Sequence, residues 1–183
     1  MTRQRTVALC FSRRPFEKRD ADRAARSAGH FAARGYQTDF VPVPILGADA
    51  DSLVAAALQW RAIDLHRVGP TRVDLVVCGD PAAAFVRHPT LVLWLERDDH
   101  GTEGAATMSL PAKDTPAGRL TAAAITGVAT IVVGSCDDAA DLERRFGVDR
   151  DRVKLADEYL SALPVLGVGD GHEPAAHGPE GQG

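Results

Sequence analysis

Along this chain, apolar residues come in short dense runs, and between the runs they recur three or four positions apart. Thr6–Phe11 is such a run, rich enough in β-forming residues for a buried strand, and the polar segment Ser12–Arg19 follows it. Asp20 is a good N-cap for the next element, in which Ala21, Ala24, Ala25, Ala28, Phe31 and Ala32 share one helical face until Gly35 ends it. Tyr36–Val41 alternates apolar and polar as a second strand, which Pro42 and Pro44 close. Asp51 or Ser52 caps a second helix with Leu53, Ala56, Ala57, Trp60, Ile63 and Leu65 on its apolar side, and Gly69-Pro70 stops it. Val73–Cys78 predicts a third strand, Pro81–Phe85 a short helical turn and Leu91–Leu95 a fourth strand, with Trp94 in the core; Glu96–Gly104 is polar and reads as a loop. Thr115 before Pro116 is an N-cap with proline at the first helical position, opening a helix to about Gly127. Thr130–Val133 is the fifth strand, Asp137 or Asp138 caps a helix ending at Phe146-Gly147, and Val153–Leu155 suits a sixth strand.

Strands that are continuously apolar and alternate with helices imply parallel pairing, covered sheet faces and right-handed crossovers. The expected fold class is therefore α/β, a single Rossmann-like doubly wound, mainly parallel sheet with helices on both faces. Residues 1–166 form that domain on this reading. The tail 167–183, of Gly, Pro, His, Glu and Ala with few large apolar residues, buries too little area to offset its ordering entropy and is expected to be disordered. Ligands of such sheets sit beyond the carboxyl ends of the strands, which directs attention to the segments beginning at Ser12, Gly79, Glu96 and Gly134.

Composition narrows the chemistry. With 21 Lys and Arg against 25 Asp and Glu, the net charge is -4, so nothing is spare to neutralise a phosphate backbone, and nucleic acid is not an expected partner. An aromatic content of 5% also offers few platforms for stacking bases. No apolar stretch reaches the roughly 20 residues needed to span a bilayer, and Thr6–Phe11 is too short for the core of an export signal. The protein is expected in the cytoplasm, where Cys10, Cys78 and Cys136, without metal-ligand spacing, are free thiols.

Two loops concentrate polar chemistry. Ser12-Arg13-Arg14-Pro15-Phe16-Glu17-Lys18-Arg19 leads into a helix N-terminus, where backbone N–H groups, the helix dipole and the neighbouring cations favour an anion; a solvated basic loop is the alternative. Neither G-x-G-x-x-G nor a P-loop is present, so no dinucleotide cofactor is expected. Glu96-Arg97-Asp98-Asp99-His100 is the densest titratable cluster, in which a carboxylate beside an imidazole suits a general base; a charged surface loop is the alternative. Asp80, Asp137 and Asp138 would extend an acidic rim, but their spacing is not diagnostic of a metal and none is expected. Gly134-Ser135-Cys136 is not a nucleophile elbow, which leaves Ser135 as a binding candidate only. Cys10 and Cys78 read as small apolar residues, and His30 as a partly buried structural one. The candidate binding residues are thus Ser12, Arg13, Arg14, Asp80, Arg97, Asp98, His100 and Ser135.

One stretch is specific enough to resemble a family. Val73-Asp74-Leu75-Val76-Val77, Pro81, Val86-Arg87-His88-Pro89, Val92 and Trp94-Leu95 resemble the V-D-L-V-I, F-P and V-R-H-P-x-x-x-V-x-W-L segments of the amino-terminal domain of GT-B glycosyltransferases of the family 4 type. Gly29–Tyr36, Val43-Pro44 with Trp60–Leu65, and Val132–Ser135 with Leu142–Asp149 are similar to further segments, so the likeness spans about residues 5 to 155. Two departures stand out: Lys18-Arg19-Asp20 replaces the usual glycine pair of the first loop, and Glu96–His100 replaces x-H-Q-H-R, setting Arg97 on a histidine and His100 on the arginine. The resemblance implies a glycosyltransferase-like single domain, the acceptor-side half of a GT-B enzyme. It would meet a nucleotide sugar or glycosyl acceptor through a donor-domain partner chain, or else be catalytically silent. A small-molecule or cofactor-binding flavodoxin-like module is the alternative that fold alone allows.

Overall fold

A computed structural model describes residues 4–13, 18–45, 47, 49–95 and 110–166. The expectations for Arg14, for Arg97, Asp98 and His100, and for the tail 167–183 lie outside these residues. The sheet strands are β1 (Thr6–Arg13), β2 (Gln37–Pro44), β5 (Leu75–Cys78), β6 (Leu91–Leu95), β7 (Thr130–Val133) and β8 (Val153–Leu155), with β3 (Arg67–Val68) and β4 (Thr71–Arg72) forming a separate hairpin. The helices are α1 (Lys18–Ala32), α2 (Ala50–Ala62), α3 (Pro116–Gly127), α4 (Cys136–Phe146) and α5 (Ala156–Ala162). The six-stranded sheet has the order β2-β1-β5-β6-β7-β8 with every pair parallel, as the alternation of apolar runs and helices predicts.

Strand alternation divides the core in two. Ala8, Cys10, Val76, Cys78, Leu93, Ile131 and Val133 face α2, α3 and α4 through Ala56, Trp60, Ile125 and Leu142. Their neighbours Val7, Leu9, Val77, Val92, Trp94 and Val132 face α1 and α5 through Ala24, Phe31 and Leu160. Helices therefore cover both faces, and the chain is a doubly wound α/β domain of Rossmann-like type. No helix of the described residues is long and apolar enough to cross a membrane.

Several boundaries differ from expectation. The second strand runs through Pro42 and Pro44 instead of ending before them. β2 is an edge strand, and a residue's N–H and C=O point to one side of a parallel strand, alternating along it. The Gln37 N–H donates inward to Arg5 O, so positions 38, 40, 42 and 44 point to the open edge, where a missing N–H breaks no ladder bond. Helix α1 begins at Lys18, ahead of Asp20. The cap of α2 is Asp49, which accepts from the Ser52 N–H, and the cap of α4 is Ser135, which accepts from the Asp138 N–H. Helix α2 stops at Ala62, and Gly69-Pro70 instead turns the β3–β4 hairpin, with Gly69 at φ 57°. Thr115-Pro116, Gly127 and the left-handed Gly147 bound their helices as read from the sequence.

Helix α5, which the sequence pattern does not announce, has no side-chain cap and closes the α1 face. Its Tyr159 ring meets Trp94 edge-on at 6.1 Å. Burial, with Tyr36 beside it, pushes the Tyr159 phenol up to about 12. Since the folded chain holds this proton above the ordinary phenol value of about 10, the contribution to stability is full below pH 10 and is lost as pH rises toward 12. An alkaline titration is expected to show a late phenolate absorbance step that accompanies unfolding. Ionisation of Tyr159 around pH 10 in a still-folded chain would contradict it.

Candidate functional site

The strand order places the reversal of winding between β1 and β5, because α1 carries the chain outward to β2 and α2 carries it back past β1. The carboxyl ends of β1 and β5 are therefore the first place to look for a site. Cys10 and Cys78 are register partners there, so the residues two further on, Ser12 and Asp80, face each other across the crevice. Ser12 belongs to β1 itself, opposite Val43, and does not begin a loop as expected.

Asp80 draws the two strand ends together. One carboxylate oxygen, Oδ2, accepts the Ser12 backbone N–H at 2.6 Å. The other, Oδ1, accepts the Ser12 hydroxyl at 2.9 Å and the Ala83 N–H at 3.0 Å, which also starts the 3-10 turn Ala83–Phe85. The Ser12 Oγ accepts in turn from the indole Nε1–H of Trp60 at 3.0 Å, tying α2 into the same knot. Trp60 was expected only as core. It is fully buried, but a buried indole N–H needs an acceptor, and that requirement is the signal by which the sequence could have linked it to a polar group. Gly79 makes the approach sterically feasible: a Cβ there would lie 2.0 Å from Cε1 of the Phe11 ring.

The other candidates are not gathered at this point. Ser135 caps α4, its hydroxyl donating to Asp138 Oδ2 at 2.8 Å while accepting the Asp138 N–H at 3.2 Å. It follows β7, two strands from β5, so about 10 Å of sheet separates it from Asp80. The acidic rim is correspondingly divided, because Asp80 is bonded to Ser12 and Ala83, the buried Asp138 to Ser135, and Asp137 is exposed. The backbone of Arg13 pairs with Pro44, and its side chain lies outside the described residues with Arg14, Arg97, Asp98 and His100. Leu95 ends β6 between β5 and β7, and the acidic-basic segment Glu96–His100 lies outside the described residues.

Burial pushes the Cys78 thiol well up, and the adjacent Cys10 adds to that, which keeps it protonated. Its Sγ–H donates to Ala83 O at 3.3 Å, so it serves the turn and not as a nucleophile. Among the described residues no group of three or more His, Cys, Asp or Glu is arranged to hold a metal ion. His30, expected partly buried, is exposed and stacks on Trp94 with ring centroids 6.2 Å apart.

Apart from Trp60 and Pro81, which stand at this knot, the residues that carry the glycosyltransferase resemblance lie elsewhere, in the frame. Asp74 Oδ2 accepts the Thr6 N–H at 2.9 Å at the amino end of β1. Arg87 bridges to the segment after α2 through Arg87 N to Ile63 O at 3.1 Å and Leu65 N to Arg87 O at 3.2 Å. His88 Nδ1 accepts the Thr90 N–H at 3.1 Å ahead of β6, and Trp94 is core. No protein-family model matches the sequence, and no curated protein matches it.

Proposed function

We propose that the chain is a glycosyltransferase-like domain, the acceptor-side half of a GT-B system, working with a donor-binding partner chain or retained as a silent binding domain. What supports this reading is that the resembling residues Leu75–Val77 and Val92–Leu95 fall on β5 and β6, adjacent central strands of a doubly wound sheet. The proposed setting is the cytoplasm, in keeping with three unpaired cysteines.

The chemistry limits what one half can do. Transfer from a nucleotide sugar requires the leaving diphosphate to be held and the developing charge stabilised by preorganised donors. In the family that the sequence resembles, those groups belong to the donor-binding domain. The lone chain is therefore expected to release no nucleoside diphosphate from a panel of nucleotide sugars and to gain no thermal stability from them. Both responses are expected once a donor-binding chain closes the cleft. Steady turnover by the isolated chain would overturn the half-enzyme reading and bring Asp98 and His100 forward as its candidate catalytic groups.

The strand order favours a second reading. A single strand outside β1 is the flavodoxin-like arrangement, extended here by β8, and its ligands sit at the β1/β5 reversal. On that reading the chain is a small-molecule or cofactor-binding module without transferase activity. A chromophore or nucleotide retained through purification, with no response to any donor-binding chain, would select it.

A further inference from the structure

At the rim opposite the candidate site, the β3–β4 hairpin carries two arginines as direct cross-strand partners, Arg67 and Arg72. Like charges placed opposite each other destabilise a ladder, and this ladder has only two residues a side, so little packing offsets the repulsion. Both arginines are exposed, as is the Gly69-Pro70 turn between them. The Arg67 guanidinium reaches the Pro70 carbonyl across that turn, which holds it at the hairpin tip.

Arg87 is a third exposed arginine near this hairpin. His66, next to the hairpin, has its ring 5.5 Å from that of His88, and His88 follows the exposed Arg87. Among the described residues, the carboxylates that flank the hairpin in the chain are both engaged: Asp64 Oδ1 contacts His66 Nδ1 at 2.5 Å, and Asp74 accepts the Thr6 N–H. The His66 hydrogen bond holds the Asp64 carboxyl below its usual range and the Arg87 guanidinium adds to this, so Asp64 balances part of the charge beside Arg87 while Arg67 and Arg72 stand further along the hairpin. This cationic rim stands on a chain whose net charge is -4.

We propose that the Arg67–Arg72 hairpin, with Arg87 beside it, is a docking surface for an acidic segment of a partner protein. Guanidinium forks pair with carboxylates in bidentate geometry, which suits Asp and Glu side chains. A membrane fits less well, because the exposed large apolar residues among those described are Phe40, Val54, Leu58 and Val165, none of them on the hairpin. The inference does not depend on the glycosyl-transfer reading, since this rim lies at the other end of the strands.

The test is fluorescence anisotropy of a labelled oligo-glutamate peptide against the full chain, the Arg67→Glu/Arg72→Glu double variant, the single Arg72→Glu variant and a control, Arg150→Glu, at an exposed arginine ahead of β8, three strands away from β5. The full chain is expected to bind, with affinity falling as salt rises. The double variant is expected to weaken binding by at least about tenfold, the single variant by less, and the control hardly at all. Melting curves by circular dichroism confirm that each variant is folded; should the double variant unfold, Arg72→Glu decides. Equal binding by the folded hairpin variants, or equal weakening by Arg150→Glu, overturns the proposal. So does retention on phosphatidylserine vesicles or on a single-stranded oligonucleotide in preference to the peptide.

Discussion

Replacing Trp94 by alanine is expected to destabilise the fold by about 3 to 5 kcal/mol, measured as the shift in urea-unfolding free energy. The indole is 2% exposed at the centre of the α1 and α5 face of the sheet. Phe31 of α1 meets it at 5.9 Å with the rings at 65°, and Tyr159 of α5 meets it at 84°. Both helices thus lose a shared contact, and α5, short and without a side-chain cap, is left to Leu160 in the core and to the bond from Arg34 Nε to Leu160 O. Trp94→Phe preserves an aromatic filler and is expected to recover more than half of the loss. A loss below about 1 kcal/mol in Trp94→Ala would mean that the cavity collapses freely and that Trp94 does not organise this face.

Asp80→Ala removes a different kind of support. Three donors, the Ser12 N–H, the Ser12 hydroxyl and the Ala83 N–H, lose their acceptor together. A buried donor left unpaired costs about 1 to 3 kcal/mol, and water reaches part of this half-buried site, so the expected total is about 2 to 4 kcal/mol. Asp80→Asn is expected to recover less than half, because its NH2 replaces one accepting oxygen with a donor that faces donors. Ser12→Ala leaves the Trp60 Nε1–H without its acceptor, and in a double-mutant cycle with Asp80→Ala it is expected to couple by at least 0.5 kcal/mol. A shifted Trp60 indole N–H resonance in either variant would report the broken knot directly. Additive effects and an unmoved resonance would show that Ser12 and Asp80 do not act as one unit.

That knot bears on function through position. It pins the carboxyl ends of β1 and β5, from which the first loop and the 3-10 turn depart, and a ligand at the winding reversal would rest on a floor fixed by these bonds. Ser12 and Asp80 were both legible as polar residues at strand ends. Their meeting was not, since 68 positions separate them and only the adjacency of β1 and β5 brings them together. Ser135 was legible as a polar residue after a strand, yet its hydroxyl caps α4, a role that the nearby Asp137 and Asp138 obscured in the sequence.

The sequence by itself determined the layered α/β class, the strands β6, β7 and β8, and helix α3 between Thr115-Pro116 and Gly127. These rest on local causes: continuous apolar runs that must be buried on both sides, a side chain that satisfies a first-turn N–H, and a proline whose missing N–H is harmless there. Tertiary structure decided the strand order, the passage of β2 through Pro42 and Pro44, the β3–β4 hairpin and the existence of α5. Each of these depends on a neighbour distant in the chain. A proline is tolerated in a strand only if that strand becomes an edge, and a seven-residue helix without a cap side chain persists only where Trp94 and Phe31 supply a surface for it.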